Sequence, residues 1–186
     1  MKLSKGARLI ILGVVLVVID QVIKYLVKTN MDLGQQIYVI GDWFRLCFVE
    51  NEGMAFGMKF GGAVGKFLLS FFRICLCSAL IWWISTLCRK KNTPAGVLVG
   101  LTLITAGAMG NIIDCVFYGL IWDYAPLMFG RVVDMFYFPL IHNAAGEVIF
   151  FSPVFNFADS CVTVGAFYLI LFQWKFFASE EEKKKS

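Results

Sequence analysis

Four stretches of this 186-residue chain are each about twenty residues long, strongly apolar and poor in charge: 8–27, 67–87, 95–118 and 154–174. A helix needs roughly 20 such residues to cross the hydrocarbon of a bilayer. In lipid every backbone polar group must be satisfied within the chain, which leaves helices and closed barrels as the spanning forms. Runs of this length and apolarity read as spanning helices. The expected fold class is therefore a membrane all-α bundle of four transmembrane helices, with residues 1–186 forming a single domain. Composition agrees, because 59% of residues are hydrophobic against about 45–50% in soluble domains.

The connections set the orientation. Basic residues collect before the first stretch (Lys2, Lys5, Arg8), in the short loop after the second (Arg89, Lys90, Lys91) and after the fourth (Lys175, Lys183, Lys184, Lys185). With four crossings all of them fall on one side, which lysine and arginine bias makes cytoplasmic, together with both termini. The N-terminus could pass for a signal peptide, but it lacks the small-residue cleavage pattern and its apolar run continues, so it reads as a retained first span. Pro94 and the Ser152-Pro153 pair mark the starts of the third and fourth helices.

The two long connections then lie outside. The first contains QQIYVIGDWFRLCFVENEGMAFG, which reads as two short strands turning near Gly41-Asp42, a small extracytoplasmic β element. The second carries an insert, residues 136–151, with two apolar arms around an Asn-Ala-Ala-Gly turn. It is expected to rest on the membrane surface, either as a cover over the outer end of the bundle or as a family-specific hairpin with no part in the site.

Orientation brings the unusual polar residues to one depth. The first and third helices run outward, placing Asp20, Asn111 and Asp114 near their outer ends; the fourth runs inward, placing Asn156 and Asp159 near its start. Ionisable residues inside a span are expensive and point to function. Gly107, Asn111, Asp114 and Tyr118 share a helix face by spacing, as do Asn156, Asp159 and Thr163. Asp20 and Lys24, four apart, read as a structural ion pair, and Arg73 as a residue snorkelling to the interface. Gly96 and Gly100 offer a small-residue contact for close helix packing. Asp134, in GRVVDMF, is an outer-loop acid flanked by apolar residues, as if docked against the bundle near Asp159.

Two carboxylates in a partly dry site can share one proton, because both cannot ionise at close range. One member then activates a water and the other protonates a carbonyl. Such chemistry uses no cofactor. The six cysteines are scattered and His142 is the sole histidine, so no metal site is expected and the cysteines read as small apolar residues. The net charge of +4 gives no indication of a nucleic-acid partner.

In order along the chain stand DQVIK at Asp20, NEGMAFG at Asn51, GAMGNIID at Gly107, GRVVDMF at Gly130 and FNFADS at Phe155. This set resembles the lipoprotein signal peptidase (signal peptidase II) family of bacterial membrane aspartic proteases, across nearly the whole chain. The resemblance implies that Asp134 and Asp159 form the catalytic dyad, with Asp20, Asn51, Gly53, Asn111, Asp114 and Asn156 binding substrate or supporting the site. It implies cleavage of prolipoproteins just before a diacylglyceryl-modified cysteine, at the extracytoplasmic face of the bacterial inner membrane. Membrane lipids and globomycin-type cyclic peptide inhibitors are the other expected partners.

The chain departs from the family pattern at Cys115, where arginine is common, and at Met135, where phenylalanine is frequent. Its insert is longer than usual, and Arg131 is the candidate to replace the missing arginine. Rival readings are an ion or proton path through Asp20, Asp114 and Asp159, a non-catalytic scaffold, and a thiol protease of Cys161 with His142. The first would need polar residues at every depth, and the inner halves of the helices are apolar.

Overall fold

The computed structural model describes residues 3–52, 62–142, 148–150 and 153–178. Gly53 and the rest of the GMAFG run, the insert's turn and the charged tail lie outside the described residues. Among the described residues, three helices are long and apolar enough to cross a membrane. They are α1 (Lys5–Asn30), α2 (Gly62–Arg89) and α3 (Ala95–Ile113), the last continued by a π-helical segment (Asp114–Tyr118) and a single turn, α4 (Gly119–Ile121). A fourth apolar helix, α5 (Phe157–Phe172), has 16 residues. It begins three residues later than the apolar run suggests. Asn156 caps it, its side chain accepting from the Asp159 N–H while the Asp159 carboxylate accepts from the Asn156 N–H, the reciprocal arrangement of a capping box.

Apolar side chains cannot drive helix association in lipid, so close backbone approach matters more. The α3–α5 crossing depends on it. A Cβ at Gly107 would lie 2.3 Å from the Ala158 carbonyl oxygen, and one at Gly165 would lie 2.8 Å from that of Gly100. Gly96 and Gly100 face Tyr168 and Leu169 of α5. The outward faces of α1 and α2, including Val15, Val22, Phe71 and Trp82, remain exposed, as expected of surfaces that meet lipid.

Beyond one end of the bundle sits a three-stranded antiparallel sheet, β1 (Gln36–Ile40), β2 (Phe44–Asn51) and β3 (Val132–Tyr137), in that order. The β1–β2 turn falls where glycine and aspartate predict it, with Gly41 at φ 49°. The third strand corrects the sequence reading: Asp134 lies in a strand, paired with Val49, rather than in a loop. Local alternation in VVDMFY is too weak to announce a strand; the partner β2, more than eighty residues away, supplies the missing stabilisation. Val133 and Met135, both fully buried, pack with Val27, Phe48 and Tyr118 into the core that seats the sheet on α1. The insert forms a separate pair, β4 (Ile141–His142) with β5 (Val148–Phe150).

Candidate active site

The site lies where the sheet meets the C-terminal ends of α1 and α3 and the N-terminal start of α5. Two backbone devices bring the acids together. In the π-helical segment the Cys115 carbonyl accepts from the Gly130 N–H (2.9 Å) and the Val116 carbonyl from the Met128 N–H (3.0 Å). These bonds dock the segment that leads into β3. Gly130 is obligatory there, since a Cβ would lie 2.0 Å from the Asp114 carbonyl oxygen. At the far end of β3, Phe136 N donates to Phe155 O at 2.7 Å and Phe155 N returns a bond of 3.0 Å. That bridge places Asp134 beside the capped start of α5, and hence beside Asp159.

Two asparagine amides join the acids. Asn156 Nδ2 donates to Asp134 Oδ1 (2.6 Å) and to Asn111 Oδ1 (3.1 Å), while Asn111 Nδ2 donates to Asp159 Oδ1 (2.8 Å). Asn51 Nδ2 donates to Asp134 Oδ2 at 3.2 Å. Asp134 is 3% exposed. Burial pushes its carboxyl up to about 7, the nearby Asp159 charge adds to the rise, and the two asparagine hydrogen bonds oppose it. Proximity of a second carboxylate is what makes a shared proton possible.

Beneath this pair lies a charged layer. The Lys24 ammonium, with no side-chain exposure, contacts Asp20 at 2.9 Å and Asp114 at 2.7 Å, and donates to Asn111 Oδ1 at 2.8 Å. Gln21 Nε2 donates to Asp114 Oδ1 (2.9 Å), Asp20 Oδ2 (3.1 Å) and Gly110 O (3.1 Å), and Gln21 Oε1 accepts from the Tyr118 hydroxyl (3.1 Å). The acids also hold backbone. Asp20 Oδ1 accepts from Ala158 N (2.9 Å) in α5, and Asp114 Oδ2 from Val133 N (3.3 Å) in β3. Asp20 and Asp114 thereby fix the two elements that carry Asp159 and Asp134.

Of the residues expected at the site, Asp20, Asn51, Asn111, Asp114, Asp134, Asn156 and Asp159 are brought into this one network; Gly53 lies outside the described residues. Spacing in the sequence gives Lys24 only Asp20 as a partner and gives Gln21 no role; the structure puts both in the network. The i, i+4 spacing on α1 reveals the first contact of Lys24, but the contacts to Asp114 and Asn111 arise only when α3 packs against α1. Arg73 does not simply snorkel: its guanidinium donates to Cys115 Sγ at 3.2 Å. Arg131 pairs instead with Glu50, which also binds Lys28. Arg73, not Arg131, therefore places a guanidinium against position 115. Thr163, grouped by spacing with Asn156 and Asp159, is exposed on α5. Cys161 is buried at 6% exposure.

A family model described as signal peptidase II matches residues 12–175. The lipoprotein signal peptidase of Porphyromonas gingivalis is 43% identical, the match covering 91% of this chain and 84% of that protein. That of Chlorobaculum tepidum is 34% identical, with 90% and 94% covered. A solved bacterial membrane enzyme, determined by the in meso method at 2.3 Å resolution, matches with a TM-score of 0.67 and 27% identity over 92% of this chain and 90% of its own.

Proposed function

Because the chain belongs to the signal peptidase II family, we propose that it removes the signal peptide of prolipoproteins by an aspartic mechanism in which Asp134 and Asp159 are the catalytic pair. It is a membrane peptidase of lipoprotein processing; the dyad, the cleavage position and the orientation are the finer reading. The observation that carries the dyad is the pair of amides: Asn156 on Asp134 and Asn111 on Asp159, with each amide held by further partners. Fixed donors hold the two carboxyl groups in place at the outer edge of the bundle.

In this mechanism Asp134, whose burial favours the neutral acid, holds the shared proton. Asp159 stands in the first turn of α5, its carboxylate accepting from the Asn156 N–H, and is the member that takes a proton from the water. A water between them gives a proton to Asp159 as its oxygen bonds to the scissile carbonyl carbon. Asp134 gives its proton to the carbonyl oxygen, so a neutral gem-diol forms. Collapse breaks the C–N bond: one gem-diol hydroxyl returns its proton to Asp134, and Asp159 passes its proton to the departing amine. The products are the carboxyl end of the signal peptide and a lipoprotein beginning with its lipidated cysteine, and the pair again holds one proton.

Four crossings, with α5 as the fourth, complete the reading. At 1.5 Å per residue its 16 helical residues cover about 24 Å of the ~30 Å hydrocarbon layer. The apolar residues that flank the helix bridge the remainder. The pair then lies at the outer interface, where a substrate tethered by acyl chains reaches it sideways from the bilayer.

The deciding experiment is cleavage of a diacylglyceryl-modified prolipoprotein by purified protein, with and without globomycin. Asp134→Asn and Asp159→Asn should each lower kcat by at least about 10²–10⁴-fold, the usual worth of acid–base catalysis, while remaining folded in the membrane. Near-normal turnover in either variant would remove that residue from the dyad.

A further inference from the structure

A cavity of about 660 Å³ opens between α1, α2 and α3 at the end of the bundle away from the acids. Its lining includes Gly6, Gly13 and Val17 of α1, Ile84 and Arg89 of α2, and Thr105 of α3. It exists because α1 stands off from α2 there: the buried residues of α1 are Asp20, Lys24 and Val27, all in its second half. Unlike the glycines of the α3–α5 crossing, Gly6 and Gly13 are not held by close contact. A Cβ at Gly6 would meet nothing within 4 Å, and one at Gly13 only Thr102 Cγ2 at 3.7 Å.

The walls make no hydrogen-bonding demand on an occupant. The hydroxyls of Thr102, Thr105 and Ser85 donate to carbonyls of their own helices at 2.7–2.8 Å. The exception is Arg89 at the mouth, which is exposed and has no acidic partner among the described residues. Lys5 lies at the same end, its ammonium on the Thr93 carbonyl at 3.2 Å. An apolar slot with a basic rim fits a hydrocarbon chain attached to an anion.

We propose that this cavity binds one anionic phospholipid, an acyl chain lying along α1 and the phosphate on Arg89. Length agrees. The lining runs from Gly6 to Val18 on α1, about 18 Å at 1.5 Å per residue, close to the ~15 Å hydrocarbon depth of a single leaflet. The slot closes directly below the Asp20–Lys24–Asp114 layer, so a chain seated there keeps water from reaching those charges from below. The apolar segment of a signal peptide fits less well. It must continue past Val18 to the acids, and its basic leading end would meet Arg89, given the orientation proposed above.

The test is native mass spectrometry of detergent-purified protein incubated with phosphatidylglycerol or with phosphatidylcholine of identical chains. Wild type should retain one phosphatidylglycerol with about fivefold preference, the worth of one basic side chain near an anionic headgroup. Arg89→Gln should erase the preference, and Gly13→Trp should reduce retention of both lipids. Gly6→Trp, at a position with open space around it, is the second filling variant should Gly13→Trp not fold. Equal retention of the two lipids by wild type, or undiminished retention by a folded filling variant, would overturn the site. So would displacement of phosphatidylglycerol by a synthetic signal peptide, which would assign the cavity to the peptide.

Discussion

Asp134 is held with its carboxyl pushed up to about 7, mainly by burial and then by Asp159. In an unfolded chain the same group titrates near 3.9. Between about pH 4 and pH 7 the folded state therefore binds a proton that the unfolded state has released, and stability falls as pH rises through that window. Thermal unfolding in detergent should show this decline in wild type and a flatter profile in Asp134→Asn; superimposable profiles would contradict the assignment. Activity has the same sign. Above about pH 7 Asp134 loses its proton; in the proposed mechanism the acid that protonates the carbonyl is then lost, and kcat should fall. Lys24 makes a second prediction. Lys24→Met would leave Asp20 and Asp114 buried without their cation, a change that costs about 3–5 kcal/mol when a buried pair is broken from one side. A correspondingly lower unfolding midpoint is expected, and a midpoint within a degree of wild type would mean that the layer is held by other means.

Specific backbone contacts, alongside the apolar clusters, set how the elements join. The π-helical segment Asp114–Tyr118 is the clearest case. A widened turn of this kind is rare and often accompanies a functional site. Here it presents the carbonyls of Cys115 and Val116 to the 128–130 segment while Asp114 turns inward to Lys24. Gly130→Ala would set a methyl carbon against the Asp114 backbone, which cannot yield as a flexible side chain can. The start of β3 should shift, moving Asp134 relative to Asp159. The expected outcome is a loss of kcat larger than any change in KM, since geometry at the reacting atoms suffers first. Unaltered kcat would show that β3 is positioned by β2 and Phe155 alone.

For the whole molecule, the basic loop Arg89, Lys90, Lys91 and the sheet lie at opposite ends of the bundle. With lysine and arginine favouring the cytoplasm, a reporter fused after Lys91 should read cytoplasmic, and one inserted near Asn143 should read extracytoplasmic. The reverse pattern would place the acids on the inner face, where no translocated lipoprotein could meet them. Glycine contacts between α3 and α5 run along the bundle, from Gly96 and Gly100 to Gly107; the charged layer lies beside the sheet, and α1 and α2 part at the opposite end.

Sequence by itself determined the membrane class, three long apolar helices near the expected spans, the β1–β2 turn and the residue types of the polar network. Each depends on a local property: the length of an apolar run, a turn glycine, or a polar residue that lipid would reject. The identity of nearly all the network residues was legible for the same reason, because an Asp or Asn inside a span is conspicuous. What only tertiary structure decided is partnership. That Asp134 belongs to a strand depends on β2, that Lys24 serves Asp114 and Asn111 depends on α3 meeting α1, and that Arg73 rather than Arg131 reaches Cys115 depends on how α2 lies against the π-helical segment. Long side chains can reach several partners, and a one-dimensional pattern records spacing within an element but not which neighbour stands within about 3 Å of its tip.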